Sequence, residues 1–266
     1  MTSLTRHRLA SSETGPALRA LCGWTPRDVP GGGLHPGDVG WYLRSDDAAV
    51  LLWTDGAAPT AVGFFDGPVL RVTAAPAADL GALAADAELL VPGHDATDGL
   101  PVPGWEPDAE AWSVMSWTPR PVSSRAEAVR EADVAARVDV QRAAFPGSTF
   151  TAARWRTMMS SPAGGAAVDV LVRTPEGEPA AAATGWFAGA GRCGLLEPVG
   201  TAPEHRGRGY GRDAVLGASA ALVRRGASAV AVVTPSSLTA AVALYRSAGF
   251  ELVRETHDWV RPDRES

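Results

Sequence analysis

Thr201-Ala-Pro-Glu-His-Arg-Gly-Arg-Gly-Tyr-Gly-Arg212 spaces glycines at 207, 209 and 211 among arginines at 206, 208 and 212. An apolar segment with Leu195, Leu196 and Val199 precedes it, and a helix-like run from Asp213 to Arg225 follows. A strand that turns through glycines into a helix leaves main-chain N–H groups free for an anion. Glycine also tolerates positive φ and a ligand lying against the backbone. The stretch reads as a phosphate cradle.

Downstream, Val215, Ser219, Leu222 and Val223 share one helical face, and Gly226 can cap it. Ala229-Val-Ala-Val-Val233 reads as a short buried strand and Leu238 to Ala248 as a helix stopped by Gly249. Phe250 opens a strand and Trp259 lies in another. Upstream, helices are expected over Ala126–Phe145, with Val134, Val138 and Phe145 at helical spacing, and over Phe150–Met159. Strands are expected at 168–173, 180–187 and 193–201, and at Trp112–Trp117. The order is mixed α/β.

A second pattern lies about 120 residues earlier. Val50–Pro59, Val62–Gly67 and Val69–Pro76 echo Val170–Pro179, Gly185–Gly189 and Leu195–Pro203, each a hairpin and a third strand ending at a proline. Asp55-Gly56 and Glu176-Gly177 supply the turns. After Pro76 the first copy offers a helix with neither arginine nor a glycine series, so it has no cradle. Proline-rich stretches at Asp98–Pro107 and Pro119–Pro121 bracket the join, which divides the chain into 1–118 and 119–266.

The composition narrows the chemistry. Lysine is absent from all 266 residues, which excludes a P-loop NTPase, a Schiff-base enzyme and a protein kinase. Two cysteines make no disulfide framework or thiolate metal site, and no metal is expected. The net charge is −6: the acids divide evenly, 15 in residues 1–120 and 15 in 121–266, but 7 arginines lie in the first stretch and 17 in the second, giving −8 and +2. Neither half shows the basic stripe of a nucleic-acid binder. No apolar run is long enough to span a membrane, and Met1–Arg8 leads into no apolar signal core, so a soluble cytoplasmic protein is expected.

Arg206-Gly-Arg-Gly209-Tyr-Gly211 and Leu244-Tyr245-Arg-Ser-Ala-Gly249-Phe250, in that order and separation, resemble the paired signatures of the GNAT superfamily of acyl-CoA N-acyltransferases. The resemblance is clear over 165–255 and extends over 119–266. It implies a GNAT-like domain with a central mixed sheet flanked by helices, preceded by a smaller degenerate copy as in tandem members. It implies transfer of an acetyl group from acetyl-CoA to a small-molecule or peptide amine, by a monomer or homodimer.

On that resemblance, Arg206, Gly207, Arg208, Gly209, Tyr210, Gly211 and Arg212 hold the CoA diphosphate. Val199, Gly200 and Thr201 border the pantetheine and polarise the thioester carbonyl. Tyr245 protonates the departing thiolate, and Glu197 is the leading base for the amine, with ordered water or a structural ion pair as its competitors. Where the family often carries asparagine this chain has Leu238, so Ser236 or Ser237 is the substitute hydrogen-bond partner. His205 is expected to face solvent, His257 to be a minor acceptor-site candidate and Cys193 to occupy a hairpin turn. Trp155 and Trp186 are candidate acceptor walls or core residues.

Two rivals remain. A dinucleotide-binding protein would show Gly-x-Gly-x-x-Gly and an acidic residue after the next strand, whereas that strand ends in Val233-Thr234. A non-catalytic acyl-CoA sensor or scaffold on the same fold would keep the cradle without the chemistry.

Overall fold

Two runs of elements with nearly the same order build the chain. The computed structural model describes residues 4–29, 33–45, 47–90 and 94–262. The first run is β1 (Leu4–Ala10), α1 (Gly15–Trp24), α2 (Pro36–Tyr42), β2 (Ala49–Asp55), β3 (Ala58–Asp66), β4 (Val69–Ala74), α3 (Leu80–Leu90), β5 (Ala96–Asp98) and β6 (Glu106–Trp117). The second is β7 (Glu127–Ala128), α4 (Val134–Ala144), α5 (Ala152–Ser160), β8 (Val168–Arg173), β9 (Pro179–Trp186), β10 (Cys193–Thr201), α6 (Tyr210–Arg224), β11 (Ala229–Pro235), α7 (Thr239–Ser247) and β12 (Glu251–Val260). The second run alone has a helix, α7, before its last strand. The fold is the mixed α/β one expected, and the internal echo is a repeated unit.

The two units share one twelve-stranded sheet in the order β1-β2-β3-β4-β5-β12-β6-β11-β10-β9-β8-β7. The exchange at its centre is reciprocal. Strand β6 of the first unit pairs antiparallel with β11, while β12 of the second pairs antiparallel with β5. Strands β6 and β12 pair with each other along most of their length. The two runs of elements meet between β6 and β7, and the sheet continues across both.

Helices α1, α2, α4 and α5 cover one face of the sheet, and α3 and α6 cover the other. The core under the first face crosses the join: Leu21, Val39, Leu43 and Val50 pack in one cluster with Val134, Met158, Trp186 and Leu195. Beneath α4 and α5, the Arg137 guanidinium, 1% exposed, meets Asp169 at 3.0 Å. Arg137 also donates to Gln141 and Thr184, and Trp155 and Thr184 donate to Asp169. Every charge there is partnered, so removing either ion would cost roughly 3–5 kcal/mol.

Three local expectations change. The helix expected from Ala126 begins at Val134, because Glu127 and Ala128 pair with Leu171 and Val170 as an edge strand. Phe250 and Trp259 flank and occupy one strand, whose register shifts at 252–254 and 257–259 break the alternation that looked like two. Cys193 is not in a turn: it opens β10, fully buried, with its N–H on the Pro26 carbonyl at 2.8 Å.

Candidate active site

Parallel strands β10 and β11 pair from Cys193↔Ala229 to Leu195↔Ala231 and then separate. Against β9, the register of β10 shifts between Leu196 and Val199, which places a bulge at Glu197 and Pro198. A bulge bends its strand and re-aims the side chains on it. Past the divergence lies a cleft of about 510 Å³. Leu196–Val199 line one wall and Val232–Pro235 the other, with Phe145–Phe150, Leu238 and Tyr245 closing it.

The glycine turn joins β10 to α6. Gly207 and Gly209 have φ of 74° and 84°, a region that side-chain-bearing residues enter at a cost. Gly209 is the N-cap of α6, and no side chain caps it. The N–H groups of the first helical turn are therefore free for an anion, and the helix dipole adds to the attraction. This end fits a diphosphate such as that of CoA. Asp213, in that first turn, is bonded to Arg125, whose guanidinium lies 4.7 Å from the Tyr210 ring centroid. A side chain at Gly209 would approach Arg125 to 4.0 Å. Arg125 comes from the Pro-rich join, and no motif pointed to it.

The other residues expected there divide in role. Arg206 donates to the carbonyls of Thr201 and Ala144, each at 3.4 Å, and Arg212 to the Ser247 carbonyl at 2.9 Å. Arg208 is exposed. Val199 lines the cleft. Gly200 faces α4: a Cβ there would stand 2.8 Å from the Ala144 methyl. Thr201 packs on Gly211, where a Cβ would lie 2.6 Å from its Oγ1, so the pair seats the start of α6 on β10. Ser237 donates to Glu110, Ser236 bonds to Ser113 and Glu255, and Leu238 is the one of the three in the cleft wall. His205 does not face solvent. It is buried edge-on against Tyr210, 3.7 Å from Glu178, because the short turn Pro203–His205 folds it inward. His257 bonds to the Asp108 carbonyl.

A second cavity, of about 220 Å³, adjoins the first at the join of the two units. Asp38, Trp41 and Tyr42 of α2, Phe64 of β3, Arg71 of β4, Asp98 of β5 and Trp112 of β6 line it from the first unit. Glu197, Val233, Arg254 and Thr256 line it from the second. Trp41, Arg44, Leu196, Glu197 and Val233 line both cavities, so Glu197 stands on the partition. The aromatic walls of the smaller cavity are Trp41, Tyr42, Phe64 and Trp112. Trp155 and Trp186 are core residues, with their N–H groups on Asp169 at 2.7 Å and on the Glu197 carbonyl at 2.6 Å.

Helix α2 reaches this place on a seat of glycines. Gly37 and Gly40, one turn apart, face Trp186, and a Cβ on either would lie 2.5 or 2.4 Å from it. His35 caps α2 by accepting the Gly37 N–H at Nδ1, which leaves Nε2 to donate to the Cys193 carbonyl at 3.0 Å. Burial lowers its pKa to about 4, so the imidazole is neutral at pH 7.

Burial, then the charge of Asp38 and a hydrogen bond to it, holds the Glu197 carboxyl well above the usual range. Burial likewise lifts Asp38 to about 6. The Tyr245 phenol, buried and then opposed by Glu197, is raised and keeps its proton at neutral pH.

The first unit repeats the strand geometry but not the cleft. Strands β4 and β5 pair in parallel from Val69↔Ala96 to Arg71↔Asp98. Beyond that point Leu34 donates its N–H to Thr73 Oγ1. A Cβ on Gly99 would meet the Val72 carbonyl at 2.2 Å and the Gly33 backbone at 2.9 Å. The chain itself fills the slot.

Residues 136–250 match the family model described as Acetyltransferase (GNAT) family. A tandem GNAT protein from the clavulanic acid biosynthesis pathway is 14% identical over 99% of this chain and 100% of its own, with a TM-score of 0.58. An acetyltransferase of the GNAT family from Colwellia psychrerythraea is 11% identical over 97% and 98%, at 0.57. A GCN5-related N-acetyltransferase from Sphaerobacter thermophilus is 20% identical over 97% and 94%, at 0.51. At these identities the likeness is one of fold. No curated protein matches the sequence. Among the described residues no helix is long and apolar enough to cross a membrane, and no cluster of metal-ligating side chains is found.

Proposed function

We propose, on the premise that a GNAT acetyltransferase domain occupies residues 136–250, that this protein transfers an acetyl group from acetyl-CoA to the primary amine of a small molecule. The observation that carries the reading is Glu197, standing between a cleft that holds Tyr245 and a separate cavity of amine size. When bound, acetyl-CoA supplies the acetyl group as an activated thioester. The free N–H groups from Gly207 to Arg212, with Arg125 beside them, would hold its diphosphate. The main chain from Val199 to Thr201 would serve the acyl oxygen. Tyr245 keeps a proton facing the cleft and would release it to the leaving sulfur. Glu197 would take a proton from the amine entering by the smaller cavity.

At about 220 Å³ that cavity is smaller than those that take drug-sized ligands. This favours a compact amine over a folded peptide substrate. Calorimetry with acetyl-CoA and thiol release with a panel of small amines test the reading. Gly209→Val puts a branched side chain at φ 84° beside the anion site, so a folded variant is expected to lose acetyl-CoA binding. Undiminished binding would remove the cradle. Tight binding by the wild type with no thiol release on any amine would make the protein a sensor.

A further inference from the structure

The reaction proposed above gives the first unit no chemical task, yet α2 carries an acid into the chamber where the amine would sit. Asp38 lies in the first turn of α2, where Oδ2 accepts the His35 N–H at 2.6 Å. An asparagine could keep that bond, so capping does not require the charge. Asp38 and Glu197 line the same cavity, one from each unit, near enough for the charge of Asp38 to help hold the Glu197 proton, and two carboxyls share so closed a site only with a proton between them. Glu197 Oε2 is closed off from solvent, and no N–H or O–H among the described residues reaches it. One indole positions both acids: Trp186 seats α2 through Gly37 and Gly40 and holds the Glu197 carbonyl through its N–H.

We infer that Asp38 and Glu197, one from each unit, act as a single proton-accepting pair that takes the proton from the ammonium of a small primary amine. The inference rests on the acetyltransferase reading and adds a catalytic residue to it. In the step, an ammonium N–H bond breaks, its electron pair stays on nitrogen, and an O–H bond forms on the ionised member of the pair. The pair later returns that proton to solvent. Two carboxyls buried in one chamber do not both ionise readily, so near neutral pH the pair holds one proton and one negative charge. The charge attracts the ammonium and the vacant site receives its proton.

The surroundings set where the charge is lost. Arg44, just past α2, favours it, while Asp66 at the end of β3 and Asp98 of β5 oppose it. Arg71 of β4 favours it, although it is itself paired with Asp98 at 3.3 Å and Asp258 at 3.0 Å. Tyr245 faces the pair from α7, and Arg254 of β12 lines the same cavity. With Asp38 lifted to about 6, the pair is charged above that pH and becomes neutral below it. Activity is therefore expected to fall on the acid side of about pH 6.

The test uses Asp38→Asn, Glu197→Gln and the double variant of the full chain. Infrared titration of carboxyl groups, without substrate, is expected to show the Glu197 midpoint falling by about one unit or more in Asp38→Asn, because a like charge has gone. With small primary amines, each single variant is expected to lower kcat/KM by about 10²-fold. The double variant should be little worse than either, as residues acting as a unit behave. An unmoved Glu197 midpoint, full activity in Asp38→Asn, or losses that multiply in the double variant would each overturn the pair. Failure of the wild type to turn over any amine would instead sink the acetyltransferase reading, and the substrate-free titration would still decide whether the two carboxyls are coupled.

Discussion

Tyr245 is where a single atom is expected to matter most. Its phenol is buried at the cleft wall and holds its proton firmly. Tyr245→Phe removes one oxygen from the wall and leaves the glycine turn untouched. Turnover is expected to drop by about 10²-fold with acetyl-CoA affinity largely unchanged, read by thiol release and calorimetry. An unchanged rate would take the acid role from Tyr245. The sequence offered this residue and Glu197 as candidates, Tyr245 from its place in the Leu-Tyr-x-x-x-Gly-Phe motif and Glu197 as a carboxylate within an apolar strand just before the glycine turn. Asp38 and Arg125 were not legible there, because their partners lie far along the chain and neither breaks a local pattern. Gly200 shows the limit of reading a glycine. Sequence indicates that something passes close by, and the structure identifies it as the end of α4.

At the scale of elements, α2 is the piece that the sequence hid. Pro36-Gly-Asp-Val-Gly-Trp-Tyr42 follows a glycine run, and two glycines in seven residues each weaken a helix by roughly 1 kcal/mol. Local propensity therefore favours a loop. Tertiary contact overrides that preference, because only glycine lets α2 approach the Trp186 ring. Gly40→Ala would gain roughly 1 kcal/mol of helix propensity and lose about 1–3 kcal/mol to overpacking, since its Cβ would stand 2.4 Å from the ring. The larger Gly40→Val lacks most of the compensation. It is expected to lower the thermal midpoint and to cost far more activity than acetyl-CoA affinity, since it lifts Asp38 from Glu197 without touching α6. A variant with normal kcat/KM would show that α2 does not set the geometry of the site. The hairpins, by contrast, were plain from alternation and turn glycines, and so were α6 and α7 from their stop signals.

The duplication was visible in the whole sequence, but the way the units join was not. Strand pairing between distant segments leaves no local trace when both strands alternate equally well, as β6 and β12 do. The joining has a measurable consequence. A piece comprising 119–266 lacks β6, so β11 and β12 lose their common partner and expose unpaired strand edges. That piece is expected to aggregate when expressed alone and to become soluble when 1–118 is co-expressed as a separate chain. A cooperative, monomeric unfolding transition from 119–266 alone would contradict it. The filled slot between β4 and β5 leads to a second expectation: calorimetry should find one acetyl-CoA per chain, and two would show that Gly33 and Leu34 move aside.

The crossed strands also bear on how an amine would get in. Enzymes that clamp their ligands between two lobes need a seam free of backbone hydrogen bonds, about which the lobes can swing. Here the line between the lobes is sewn through by two long strands, one from each side. Parting the jaws would break those strand pairings, so guests would be sorted by the width and charge of a stiff keyhole rather than by waiting for a looser state.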